Sequence, residues 1–256
     1  MVREPARDLA TGGIRPGDPW TSPASMHHRR DPRSSSVNGQ EEPDMEVDGG
    51  AIDAVLSALP EADEIQDPEL RRRVGSAFVL GLRESSFSSI HDVPGEYDLD
   101  PSVNLVAHTR VVTAMATAAA DAMQARFPDV KVDRDTLIAG SLLHDVGKIY
   151  EYDRLRAATW RDGRARTGYP PIRHPIYGAH LAMAAGLPEA VVHIVASHAA
   201  EGTRVRRSLE ATLVATLDHI SWELLLTARR GLTIDDVRSG TPRIRSLPPR
   251  KSGGSA

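Results

Sequence analysis

An imidazole, a carboxylate and an ammonium group occur together in the otherwise apolar stretch Ser141–Lys148. His144 and Asp145 are adjacent, and Lys148 follows one helical turn after His144. Burying such groups is costly unless a partner compensates them. A metal ion bound by both His144 and Asp145 would do so, and so would a hydrogen bond from a core histidine to a neighbouring carboxylate. The dipeptide alone favours these two interpretations about equally.

Three more polar side chains fall on the apolar faces of predicted helices: His108 (helix 100–127), His198 (helix 188–199) and Asp218 (helix 208–230). A single histidine on such a face is more often a packed core residue than a ligand. His108 is therefore a good ligand candidate only if other candidate ligands lie close to it. An acidic residue such as Asp218 on an apolar face needs a cation. The polar residues on these faces are therefore candidates for one shared metal site.

The other elements are predicted from caps, turns and periodicity. A helix starts after Asp67-Pro68, a third long helix runs from Asp135 to about Asp153, and a fourth starts at His174-Pro175. The polar stretch 154–173 carries a hairpin-turn signal and is either a solvated excursion or a flap facing the substrate.

The stretch 85–100, rich in Ser, Gly and Pro, is predicted to be a loop. It contains a second His-Asp pair, His91-Asp92, which no helical apolar pattern surrounds. We expect His91 to be solvated and not to bind metal.

These patterns predict an all-α fold, a helical bundle with ligands converging from different helices, without any convincing strand. Residues 1–48 lack apolar periodicity and are predicted to form a disordered tail, with either Met1 or Met45 as the start. The folded domain is expected over residues 49–235, and residues 236–256 are expected to be a flexible C-terminal tail.

Composition excludes several classes of protein. The chain has no cysteine, which rules out disulfides, thiolate metal ligands and cysteine nucleophiles. Its formal net charge is -4, so the chain lacks the excess of basic residues that is typical of a general nucleic-acid-binding protein. The sequence shows neither a signal peptide nor an apolar run that could span a bilayer, so a cytoplasmic protein without membrane contact is expected.

The ordered polar residues resemble the pattern H, HD, H, H, D of the HD-domain metal-dependent phosphohydrolase superfamily: His108, His144, Asp145, His174, His198 and Asp218. The run from His144 to Lys148 resembles the family's HDIGK form, and the later motifs are similar to the HD modules of bacterial 3′→5′ exoribonucleases. Those enzymes carry an OB-fold and a second histidine where Ala199 stands here. Long RNA is therefore not expected as a substrate.

The resemblance implies a binuclear centre. His108, His144, Asp145 and Asp218 would hold one divalent ion, and Asp145 would bridge to a second ion held by His174 and His198. Iron or manganese is the first expectation, with Mg, Co or Zn also compatible with nitrogen and oxygen ligands. Asp145 and Lys148 would be catalytic, and Lys148 and Arg173 would bind a substrate phosphate.

The resemblance thus implies a phosphomonoesterase or phosphodiesterase acting through a metal-activated water on a nucleotide or another small phosphorylated molecule. Two alternatives remain open at this stage. One is a mixed-valence di-iron oxygenase of the same superfamily, and the other is a metal-stabilised regulatory module without turnover. The sequence indicates no oligomeric state.

Overall fold

A computed structural model of the chain describes residues 47–238, without the side chains of residue 162 and residues 164–167. Most of both predicted tails, residues 1–46 and 239–256, lies outside the described residues. The first helix begins at Gly49, and the last helix continues to Arg238, three residues past the predicted end of the domain.

The described part of the chain is mostly helical. Its helices and strands are α1 (Gly49–Ser57), α2 (Pro68–Arg83), β1 (Pro94–Glu96), β2 (Asp100–Asn104), α3 (Leu105–Arg126), α4 (Arg134–Leu143), α5 (Lys148–Glu151), α6 (Arg154–Thr167), α7 (His174–Ala184), α8 (Glu189–Ser197), α9 (Leu209–Arg230) and α10 (Ile234–Arg238). Short 3₁₀ turns cover Pro60–Glu64, Ile90–Asp92 and Ala200–Arg204. The predicted all-α class is confirmed.

Helix α4 lies at the centre of the bundle, in contact with α2, α3, α8 and α9. Its side chains at Ile138, Leu142 and Leu143 are fully buried, so no face of this helix meets solvent near its C-terminal end. A helix that is apolar on all sides is stable only inside a core. The polar residues that directly follow α4 are therefore placed in the interior.

The predicted loop at 85–100 and the predicted helix start at Asp100 were wrong in part, because β1 and β2 form an antiparallel hairpin before α3. Asn104 caps α3, and its side-chain oxygen accepts a hydrogen bond from the Ala107 N–H at 2.9 Å. Asp100 instead accepts a hydrogen bond from the Ser102 N–H at 3.0 Å. Both Asp100 and Asn104 can cap a helix, and local pattern alone could not choose between them.

The stretch predicted as a polar excursion with a hairpin turn is also different, because residues 154–167 form α6. Asp153 precedes it, and one carboxylate oxygen accepts hydrogen bonds from the N–H groups of Leu155 and Arg156. Trp160 packs against Tyr150 with ring centroids 5.1 Å apart. Capping and aromatic packing thus override the turn signal of Asp162-Gly163.

The long helix predicted from Asp135 to about Asp153 is interrupted. Residues 144–147 form a turn between α4 and α5. The Lys148 N–H donates to the Asp145 carbonyl at 2.9 Å, which is a bond across three residues rather than the four of a regular α-helix.

No helix in the part of the chain that the structure describes combines the length and the apolar character needed to cross a membrane.

Candidate metal centre

The turn after α4 places His144 and Asp145 in the centre of the bundle, where both are fully buried. His144 Nδ1 lies 2.6 Å from the Ser141 carbonyl, so this nitrogen is the donor and Nε2 is the atom that faces the other polar residues. Adjacent residues of a regular helix point about 100° apart, yet His144 Nε2 is 3.3 Å from Asp145 Oδ2. The tightened turn therefore brings both side chains to one point.

A first group of candidate ligands meets at this point: His108 from α3, His144 and Asp145 from the turn, and Asp218 from α9. Their ligand atoms all lie within 4.8 Å of one another. His108 Nε2 is 3.0 Å from Asp218 Oδ1 and 3.2 Å from Asp145 Oδ2. The structure thus brings together the four residues that the sequence resemblance assigned to the first ion.

A second group consists of Asp145, His174 at the start of α7, and His198 directly after α8. Asp145 Oδ1 lies 3.3 Å from His174 Nε2 and 3.6 Å from His198 Nε2. His198 Nδ1 lies 2.8 Å from the Val195 carbonyl, which directs Nε2 inward. One oxygen of Asp145 therefore faces each group, which is the arrangement a bridging carboxylate needs.

The chemistry of these atoms fits metal ions. Asp145 Oδ2, Asp218 Oδ1 and His198 Nε2 are buried and make no hydrogen bond of good geometry to the described residues, although oppositely charged or imidazole partners lie 2.6, 3.0 and 3.6 Å away respectively. Buried polar atoms are rarely left unsatisfied in proteins, so a cation is the expected partner of this convergent set. The nitrogen and oxygen donors suit Mn, Fe, Co or Zn.

Electrostatics keeps the two carboxylates ionised, which is their ligand form. Burial lowers the pKa of His144, but the charge of Asp145 outweighs this effect and raises it. Burial raises the pKa of Asp145, but the charges of Lys148 and His144 outweigh this effect and hold the pKa well below its usual range. For Asp218, the neighbouring imidazole of His108 outweighs burial in the same way and lowers the pKa. Burial lowers the pKa of His198, so its imidazole stays neutral.

Lys148 lies in a different environment from the one expected of a substrate-binding cation. Its ammonium is buried, lies 2.6 Å from Asp145 Oδ2 and donates to the Gly95 carbonyl of β1. It also lies 3.8 Å from Glu96 Oε2. The lysine borders the cavity above the metal ligands, but its closest charged partner is a candidate ligand.

Arg173, also predicted to bind substrate, is paired with two carboxylates, Glu151 and Glu201. Glu151 is buried and accepts hydrogen bonds from the His174 N–H at 2.6 Å and from His174 Nδ1 at 2.7 Å. Burial raises the pKa of Glu151, but the hydrogen bonds from His174 and the charge of Arg173 lower it to about 2. Sequence reasoning missed Glu151, although it follows Lys148 by one helical turn between the apolar residues Ile149 and Tyr152.

Two further side chains that sequence reasoning missed support the histidines. The indole of Trp222 stacks on His108 with ring centroids 4.6 Å apart. Arg207 donates from Nε to the Ser197 carbonyl at 2.7 Å and from Nη2 to the Ala199 carbonyl at 2.9 Å. It thus satisfies carbonyls at the C-terminal end of α8, next to His198.

A cavity of about 290 Å³ opens above the ligands. Its lining includes Asp145, His174, His198 and Asp218, and its cationic side chains are Lys148, Arg173, Arg207 and Arg238. A space of this size lies near the lower end of the range for small-molecule sites. The second His-Asp pair differs from the first, because His91 is exposed and belongs to neither ligand group.

Comparison with known proteins agrees with this geometry. Residues 105–223 match the family model described as the HD domain. The chain is 30% identical over 173 residues to the dihydroneopterin 2′,3′-cyclic phosphate phosphodiesterase of Methanocaldococcus jannaschii, across 61% of this chain and 64% of that protein. The matched region is thus somewhat less than two thirds of the relative's length. No solved structure gives a significant match.

Proposed function

We propose that the chain is a metal-dependent phosphoric ester hydrolase that acts on a small phosphorylated molecule, since residues 105–223 match the family model of the HD domain. One observation carries the proposal: the oxygens of the buried Asp145 face two separate groups of candidate ligands. Two metal ions held in this way would lower the pKa of a water molecule and offset the charge that develops at phosphorus.

We assign the ligand roles as follows. His108, His144, Asp145 and Asp218 hold the first ion, and Asp145, His174 and His198 hold the second. Lys148 keeps Asp145 ionised and oriented, since its ammonium is 2.6 Å from Oδ2. Arg207 and Arg238 in the cavity lining, together with bound ions, would attract a phosphate group locally, although the whole chain is slightly acidic.

The substrate we propose is a phosphodiester of nucleotide size, with a 2′,3′-cyclic phosphate as the first class to test. Two observations support this choice. The similar archaeal protein is named as a phosphodiesterase for a 2′,3′-cyclic phosphate. The cavity of about 290 Å³ admits a small molecule but offers no extended groove for a long nucleic acid.

The test is a substrate panel with protein that has been stripped of metal and reloaded anaerobically with manganese or iron. The panel contains 2′,3′-cyclic nucleotides, 3′,5′-cyclic nucleotides and phosphomonoesters. We expect hydrolysis of at least one cyclic diester that requires the metal and continues without oxygen. Oxygen consumption without phosphate ester cleavage would instead support the di-iron oxygenase alternative.

The matched variants use the two His-Asp pairs of the chain. Asp145→Ala removes the carboxylate common to both ligand groups, so we expect activity at background and loss of bound metal. Asp92→Ala changes the corresponding aspartate of the exposed pair and should leave both unchanged. Full metal content in the Asp145→Ala protein would contradict the bridging role.

A further inference from the structure

The two candidate ion positions differ in the groups that surround their histidines. His144 and His198 each direct Nδ1 to a main-chain carbonyl, of Ser141 and Val195 respectively. His174 alone among the three directs Nδ1 to a carboxylate, that of Glu151. The second ion position therefore has an anionic hydrogen-bond acceptor behind one of its ligands.

The two positions also differ in charge. The first group contains two carboxylates, Asp145 and Asp218, whereas the second group contains only the shared Asp145. The ammonium of Lys148, 2.6 Å from Asp145 Oδ2, offsets part of that shared charge. Two neutral imidazoles and a shared carboxylate leave the second cation short of negative charge, unless a nearby anion supplies it.

Glu151 is placed to supply this charge through His174. An acceptor carboxylate fixes the tautomer and ring orientation of a metal-binding histidine and makes the other nitrogen a stronger ligand. Glu151 Oε2 receives both the main-chain N–H and the Nδ1–H of His174, so it holds the backbone as well as the ring. The remaining nitrogen, Nε2, is then directed at Asp145 Oδ1, 3.3 Å away.

Arg173 connects this arrangement to the other histidine of the second group. It pairs with Glu151 and, through Nε at 3.1 Å, with Glu201 in the 3₁₀ turn that follows His198. The two carboxylates and one guanidinium together leave one net negative charge beside the second ion position. The segments that carry His174 and His198 are thus joined through two partly buried ion pairs that share Arg173.

From this arrangement we propose that Glu151 is the positioning residue of the second ion, and that its carboxylate determines whether the second position is filled while the first position fills without it. The proposal rests on the proposed function only in requiring that the two ligand groups bind metal. It does not depend on which ester, if any, is hydrolysed.

The test compares manganese binding by the full chain and its Glu151→Gln variant, both stripped of metal. Binding is measured by titration calorimetry, and paired ions are detected by electron paramagnetic resonance. We expect wild type to bind two ions and to show a spin-coupled pair. In the variant the first affinity should stay within about twofold, while the second falls about 10- to 100-fold and the coupled signal is lost.

Two further variants separate a direct effect from general disruption. Glu201→Gln changes the carboxylate on the far side of Arg173, so it should weaken the second ion much less than Glu151→Gln does. Glu151→Asp keeps the charge on a shorter side chain and should restore part of the second-ion affinity. If Glu151→Gln does not fold, the Glu151→Asp variant serves as the test protein. It should then bind the second ion more weakly than wild type does.

The outcomes distinguish this inference from the proposed function. If wild type binds a single ion, or if Glu151→Gln weakens both ions equally, the inference is wrong whatever the hydrolysis assays give. If Glu151→Gln selectively loses the second ion but wild type cleaves no phosphate ester, the inference stands and the proposed function is wrong.

Discussion

At the scale of single residues, the centre depends on a few atoms with fixed partners. Asp145 makes the largest number of these contacts, because His108, His144, His174, His198 and Lys148 all direct a nitrogen at its two oxygens. A carboxylate so surrounded stays ionised although it is buried. We therefore expect substitutions of the residues that contact Asp145 to affect stability.

Replacing Lys148 with Met tests what its charge does. The substitution keeps an unbranched side chain of similar length but leaves Asp145 without its ammonium partner, and breaking such a buried pair costs about 3 to 5 kcal/mol. We expect this loss in the metal-free protein, measured by urea unfolding. Saturating manganese should reduce the difference, since a cation again faces Asp145. A variant as stable as wild type without metal would mean that Lys148 acts on the substrate alone.

Most of the candidate ligands could be predicted from the sequence, because a polar residue on an apolar helix face stands out from its neighbours. Glu151 could not, because its partner, His174, is 23 positions away in the chain. Lys148 was identified as important, and Asp145 lies three residues before it, but the sequence does not show that β1 also lies within reach of its ammonium.

At the scale of elements, the turn between α4 and α5 must lie directly against the start of α7. A Cβ atom on Gly147 would lie 2.0 Å from the His174 carbonyl oxygen and 2.6 Å from the Gly178 nitrogen. Only glycine permits this approach, which brings the turn carrying Asp145 next to the helix carrying His174. The distance between the two ligand groups is therefore set by main-chain packing.

Replacing Gly147 with Ala should push α7 away from the turn. We expect a loss of about 1 to 3 kcal/mol in the free energy of unfolding, or more, because the obstructing atoms are main-chain atoms. The second ion should also be lost, since His174 moves with its helix. Gly49→Ala is the matched control, because nothing lies within 4 Å of its added Cβ, and it should leave unfolding and ion binding unchanged. Equal behaviour of the two variants would show that the close approach is unimportant.

The elements were predicted well where local signals act alone and poorly where packing decides. The Asp67-Pro68 signal correctly predicted the start of α2. The hairpin and α6 were missed because Asp100 and the Asp162-Gly163 pair carry local signals that tertiary contacts override. The interruption after Leu143 was missed because apolar residues keep helical spacing across it, at Leu142, Val146 and Ile149.

At the scale of the whole molecule, the candidate ligands come from α3, the turn after α4, α7, α9 and the residue following α8. These segments are distant along the chain, so an ion bound to His108 and Asp218 joins residues that are 110 positions apart. The unfolded chain cannot present the same geometry, and ligand binding to the folded state alone adds to its stability.

Metal removal should therefore lower the melting temperature. An ion at a concentration of 100 times its Kd adds about 2.7 kcal/mol, which corresponds to a shift of about 5 to 10 °C for a domain of this size. The measurement is thermal unfolding with chelator and with saturating manganese. The Asp145→Ala protein serves as the control and should show no shift. Equal melting temperatures of wild type under both conditions would argue against an intact centre.

Part of the cavity wall and the candidate metal ligands at its floor come from different segments of the chain. Glu96 and Leu99 from the hairpin region and Ile234 and Arg238 from α10 form part of the wall, yet none of them belongs to the ligand groups. Substitutions in these wall segments could therefore change which ester enters the cavity while the candidate metal ligands stay the same. A library randomised at these four positions would be expected to yield new substrate preferences sooner than one directed at the helices and the turn that carry the candidate ligands.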